Sequence, residues 1–324
     1  GVLLLDATCA PADVAYPTDL NLLNEAREKL ENIIDTLHAP MAGQARKPRT
    51  YRQKARKAFL AVAKQRRVSG KTIRQAIGKQ LRFIARNLRI IAELAKRQPL
   101  SLLSRKQYRD LLVIQELYRQ QRAMHERRAH RIEDRIVSIS QPHIRPMVRG
   151  KASAHVEFGA KISVSMVNGY AFLERLSWDS FHEGVNLIET LEAYKKRFGC
   201  YPKTVIADQI YRTRENRAFC KAHGIRLSGP ALGRRAQGEE AAEQRRLARQ
   251  DASVRNAIEG KFGEGKRKYG LGLIRARLAI TSEAVISLQL LVMNLERRLR
   301  DLFVLLIRRQ FGLKSPVFMS ICAM

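Results

Sequence analysis

Two short apolar runs each deliver an aspartate. Val2-Leu3-Leu4-Leu5 leads into Asp6, and Val205-Ile206-Ala207 leads into Asp208. A continuous apolar run of this length suits a strand buried on both faces. If two such strands lie parallel and adjacent, Asp6 and Asp208 stand side by side at the carboxyl end of the sheet, where open α/β sheets bind ligands. Neighbouring carboxylates repel one another unless a cation separates them, and Mg²⁺ prefers oxygen ligands of this kind. Taken singly, each aspartate is more often the cap of a turn or helix. A third stretch changes that balance. Arg255, Glu259 and Lys266 are spaced i, i+4 and i+11, which puts all three on one face of a helix. That face offers one more carboxylate, flanked by two cations suited to phosphate.

These residues must be held by surrounding elements. The first strand is expected over 2–5, ending at Asp6. Thr18 or Asp19 then caps a helix whose seam is Leu23, Ala26, Leu30, Ile33 and Leu37. A second seam runs from Ile73 through Ile77, Leu81, Ile84, Leu88 and Ile91 to Ala95, and a third helical stretch covers 104–135. The period then changes from 3.6 to 2. Val156, Phe158, Ala160, Ile162, Val164 and Met166 alternate with more polar residues or glycine, Asn168-Gly169 marks a hairpin, and 170–178 returns. A helix over 182–198, a strand ending in Asp208, a short helix at 213–223 and a strand at 225–229 follow. Residues 233–250 read as a loose polar linker. The final helical region carries Glu259, and an apolar C-terminal helix from about 282 reads as buried. No transmembrane run is expected, because Asn294, Glu296, Arg297, Arg298, Arg300 and Asp301 interrupt that helix.

Composition points to the partner. Lys and Arg number 61 against 30 Asp and Glu, for a net charge of +31 over 324 residues. A balance this basic favours a polyanion, nucleic acid foremost. The charge is concentrated. No acidic residue occurs between Thr36 and Ala92, and 41–135 carries 27 basic against 6 acidic side chains. The helical region is therefore expected to touch the DNA backbone. Four scattered cysteines with no Cys-x-x-Cys pair argue against a zinc site and a disulfide framework, and suit a reducing compartment.

The Arg-x3-Glu-x6-Lys spacing followed by Tyr269-Gly270-Leu271, the block from Asp6 to Ala26, and the block from Val205 to Pro230 together resemble DDE transposases of bacterial insertion sequences. Where many members carry a tyrosine three residues before the arginine, this chain has Ala252. The resemblance implies an α/β fold with an RNase H-like mixed sheet. The catalytic domain would be split over 1–19 and 136–310, with a basic helical insertion at 20–135 and a C-terminal tail at 311–324. The family's usual N-terminal DNA-recognition region is expected to be lacking from this chain. The implied activity is cleavage of phosphodiester bonds at transposon ends and strand transfer into target DNA. A related nuclease that does not join, or an inactive DNA-binding remnant, is the alternative. Asp6, Asp208 and Glu259 would bind two Mg²⁺ or Mn²⁺ ions, and Arg255, Lys266, Tyr211 and Arg212 would contact DNA. A homodimer on DNA, away from membranes, in the bacterial cytoplasm at the nucleoid, completes the expectation. Trp178 is expected in the core more than stacked on a base, and His182 has no assigned role.

Overall fold

The structure is a computed structural model that describes residues 1–151, 154–230 and 238–311. In chain order its elements are β1 (Val2–Pro11), α1 (Asp19–His38), α2 (Arg52–Ala63), α3 (Gly70–Ala95), α4 (Arg105–Arg127), β2 (Pro146–Lys151), β3 (Ala154–Val167), β4 (Tyr170–Ser177), α5 (Leu187–Phe198), β5 (Thr204–Ala207), α6 (Arg214–Ala222), β6 (Arg226–Leu227), α7 (Gly238–Lys268) and α8 (Ala279–Gln310). The chain divides into two compact units. One comprises Gly1–Asp13 and the chain from Gly159 on, and the other is Val14–Phe158.

The first unit is built on β1. On one side β3 pairs with it antiparallel, from Leu4↔Met166 to Pro11↔Gly159. On the other side β5 pairs with it parallel, from Val2↔Thr204 to Leu5↔Ala207. β4 continues the sheet beyond β3, and β6 continues it beyond β5. A central strand with an antiparallel hairpin on one flank and parallel strands on the other is an RNase H-like mixed sheet. Turn chemistry sets the hairpin: Asn168 and Gly169 both have positive φ, 51° and 83°, as a two-residue primed turn needs. Leu3, Leu5, Leu187, Leu191, Val205 and Tyr211 form the core on one side of the sheet. Ile162, Val164, Ala171, Ile286, Leu290 and Met293 pack in another cluster, with α8 as its wall.

The second unit is helical. Thr18 caps α1 through the Asn21 N–H at 3.3 Å. Leu23, Ala26, Leu30, Ile33 and Leu37 are all buried, and Ile84, Ile91, Ile114 and Leu117 meet them from α3 and α4. Ile73 is the departure from the second expected seam, at 39% exposed. Ion pairs lace the helices: Lys29 to Asp110 at 2.7 Å and Arg52 to Asp35 at 2.8 Å. The two compact units part at 13/14 and 158/159. Ile136 and Ile139 belong to the helical core, and Tyr16 packs edge-to-face on Phe158.

Three further expectations change. β1 does not stop at Asp6 but runs on to Pro11, because β3 supplies a partner for the small residues Ala7, Thr8, Cys9 and Ala10. The polar stretch read as a linker is helical from Gly238 onward, while 233–237 lie outside the described residues. Its Ala, Glu, Gln, Arg and Leu are strong helix formers, Glu239 and Glu240 suit the positive end of the helix dipole, and Arg246 pairs with Glu243 at 2.8 Å. The C-terminal helix is buried along one face only. α8 is long and apolar enough by length and composition to cross a membrane, and most of its apolar side chains are exposed. The proposed tail lies outside the described residues beyond Phe311.

Candidate active site

β1 and β5 bring the two aspartates together. Their parallel register ends at Leu5↔Ala207, so Asp6 and Asp208 are the next residue on each strand. Beyond this point β1 continues while β5 turns away, opening the sheet beside Asp6. The Asp6 carboxylate accepts the Ala7 N–H at 2.8 Å. Asp208 caps the short turn Gln209–Tyr211, accepting the Gln209 N–H at 2.6 Å. The capping role expected of a lone aspartate is therefore present, but it occupies only part of the group. The other contact of Asp208 Oδ1 is Arg255 Nη1 at 3.3 Å. Arg255 Nη2 reaches Glu259 Oε1, also at 3.3 Å. One guanidinium thus bridges the second and third carboxylates of the motif, from the i, i+4 positions of α7.

Two contacts fix α7 for this. Ile258, fully buried, packs with Leu4, Met166 and Ile206 on the sheet, so that Arg255 and Glu259 fall on the adjoining, more open face. One turn earlier, Asp251 receives both Nη atoms of Arg226 from β6, at 2.7 and 2.8 Å. Gly265 lies further along. A Cβ there would come within 2.6 Å of Leu271 and 3.3 Å of Met293, so glycine lets this part of α7 approach its neighbours closely. The helix runs unbroken through Gly260, Gly263 and Gly265.

The electrostatics are those of gathered, incompletely offset negative charge. Burial pushes Asp6 up from 3.8 to about 6, the nearby carboxylates of Glu183 and Asp208 add to the rise, and the Ala7 N–H and Arg255 oppose it. Glu183 was missed in the sequence because it lies in a stretch read only as helix. It opens a short 3-10 turn before α5 and is ion-paired with Lys161 at 2.9 Å. Only its position in the fold, not a motif, brings it near Asp6.

The remaining candidates separate. Lys266 is half-buried and lines a shallow cavity with Gly270, Gly272, Arg275 and Gln289. Seven residues beyond Glu259, it lies about 10 Å along the helix axis. Tyr211 is fully buried in the core under β1 and β5, and burial with the charges of Glu183 and Asp6 raises its phenol well above the usual range. It would have to leave the core to touch DNA. Arg212 donates to the backbone carbonyls of Ser228 and Pro230, tying the turn after Asp208 to the end of β6. Trp178 packs in the core beside α8 and donates to Glu283 at 2.7 Å.

Carboxylate oxygens and a raised Asp6 fit a hard divalent cation in donor type and in charge. The spacing is not that of a closed cage: among the described residues, no group of three or more His, Cys, Asp or Glu side chains stands close enough to hold an ion. Arg255 stands between two of the donors, contacting Asp208 and Glu259 at 3.3 Å each.

The sheet is RNase H-like, with Asp6 within its central strand and Asp208 just past the end of the parallel neighbour. Residues 205–296 match the family model described as "Transposase DDE domain". This bears out the resemblance to DDE-type transposases over the stretch that carries Asp208, Arg255, Glu259 and Lys266, and it supports a transposase-type function. Asp6 precedes the matched stretch. The searches of curated proteins and of solved structures each returned no match.

Proposed function

We propose that the chain is a DNA transposase that cleaves phosphodiester bonds at transposon ends and joins the ends to target DNA. The observation that carries this reading is the single Arg255 guanidinium spanning Asp208 and Glu259 while β1 delivers Asp6 next to Asp208. Asp6, Asp208 and Glu259 would hold two Mg²⁺ or Mn²⁺ ions. When bound, such ions polarise the attacking and leaving oxygens of an in-line displacement. Glu183 lies close enough to add negative charge beside Asp6. Arg255 offsets Asp208 and Glu259 in the resting site, and on DNA the same guanidinium turns to grip phosphate as a fork. Lys266 engages phosphate further along the strand. The basic helical unit supplies most of the non-specific affinity.

A second reading, a DNA-binding remnant without chemistry, is favoured by the open spacing of the carboxylates. Incubation with labelled transposon-end duplex and plasmid target in Mn²⁺ separates the two. Cleavage and joined products, both lost in Asp208→Asn, support the transposase. Cleavage without joining indicates a nuclease. Binding with neither product indicates the remnant.

A further inference from the structure

α8 has two faces with opposite fates. The inner face is occupied by its own unit. Ile286, Leu290 and Met293 are buried, Asn294 exchanges hydrogen bonds with the Ala171 backbone at 2.8 and 2.6 Å, and Asp301 accepts the Tyr170 hydroxyl at 3.0 Å. The outer face bears Leu288, Val292, Leu295, Leu299, Leu302 and Leu306, each 49–66% exposed. At about 100° per residue these six form one straight stripe directly opposite Ile286 and Leu290.

Their spacing is 4, 3, 4, 3, 4. That is the a/d alternation of a heptad repeat, sustained over almost three heptads and about 27 Å of helix. Leucine fills all three d positions, 288, 295 and 302. Valine then two leucines fill the a positions, 292, 299 and 306. Leucine at d with a β-branched residue at the first a position suits two strands. No charge interrupts the stripe. With the flanking Leu291 and Phe303, also more than half exposed, the apolar surface left open approaches the roughly 800 Å² per partner that a standard interface buries. A helix apolar on both faces needs cover on both.

We propose that the outer face of α8 is the seam of a two-stranded coiled coil between two copies of this chain. A lipid surface is the poorer occupant. Although α8 has the length and overall apolarity to cross, Glu296, Arg297, Arg298, Arg300 and Asp301 cluster within six residues, and charges inside a spanning segment are costly. A heptad stripe, by contrast, needs apolar side chains only along its seam. This inference goes beyond the transposase reading and does not rest on it, since it is read from mass and cross-linking rather than from activity.

Sedimentation equilibrium of nuclease-treated protein in 0.5 M salt tests it. The wild type is expected at twice 37.0 kDa, and Leu295→Glu/Leu302→Glu at 37.0 kDa with unchanged helical circular dichroism. The control Ile280→Glu, exposed but off the stripe, should remain dimeric. Should the double variant fold poorly, a cysteine at 299 in a Cys200→Ser/Cys322→Ser background is expected to cross-link two chains under mild oxidation, whereas a cysteine at the inner position 290 is not. A monomeric wild type, a dimer indifferent to the double substitution, or no cross-link through position 299 would overturn the proposal. So would a monomer that floats with phosphatidylcholine vesicles only while the leucines are intact, which would assign the stripe to lipid.

Discussion

At the scale of single residues, neighbouring carboxylates stand with their charge only partly offset. Asp6 has a raised pKa, so the folded state binds its proton more tightly than the unfolded chain does. The stability linked to Asp6 is therefore fully present below about pH 4 and is lost as pH rises through about 6. A rise of this size corresponds to a loss on the order of 2–3 kcal/mol, an upper bound for a group that keeps some solvent contact. In EDTA, Asp6→Asn should thus be more stable than wild type at pH 7 and equal to it near pH 4. Thermal unfolding over that pH range measures this, and equal curves at pH 7 would show that Asp6 is not under strain. Asp208→Asn keeps the turn-capping oxygen but removes charge. It should abolish metal-dependent cleavage by at least 100-fold and leave DNA affinity within about twofold, because affinity comes chiefly from basic side chains. Both aspartates were legible in the sequence, since an apolar run that ends on a carboxylate is a local pattern. Glu183 was not legible, because no local spacing announces a residue that only the folded chain brings to Asp6.

At the scale of elements, α7 is the part that must be placed, and Arg226–Asp251 places it. Asp251→Ala leaves a partly exposed guanidinium without its carboxylate and should cost about 1–2 kcal/mol, less than a fully buried pair would. Its effect on cleavage should be larger than that on DNA binding, because the helix that presents Arg255 and Glu259 loses an anchor. A filter-binding constant compared with a single-turnover cleavage rate separates the two effects; equal losses in both would show that the pair serves folding alone. The helix holding these residues was half-legible. Its second half carries the Arg-x3-Glu-x6-Lys face, while 238–250 has no apolar stripe and owes its helicity to propensity and ion pairs. β1 shows the same division. Val2–Leu5 announces a strand, whereas Ala7–Pro11 becomes one only because β3 lies alongside. α8 misled in the opposite direction: apolarity implied burial, and the structure leaves one face open.

At the scale of the whole molecule, charge and chemistry are concentrated in different parts of the chain. The net charge of 41–135 is +21 of the total +31, and the carboxylates belong to the RNase H-like unit. Affinity should therefore fall steeply with salt, the slope reporting the number of phosphates neutralised. Replacing Arg74, Lys79 and Arg82, which line one face of the helical unit with His125 and Arg128, should reduce that slope by about 2–3 without altering the metal dependence of cleavage. An unchanged slope would place the DNA elsewhere.

In the proposed site, Asp6, Asp208 and Glu259 together hold the metal although they are far apart in sequence. Fe²⁺ in place of Mg²⁺, with ascorbate and peroxide, generates hydroxyl radicals that cut the polypeptide beside the ion. Fragments ending near residues 6, 208 and 259 are expected together, suppressed by excess Mg²⁺ and lost in Asp208→Asn. Cutting confined to other segments, or cutting near 208 alone that persists in Asp208→Asn, would contradict a shared site.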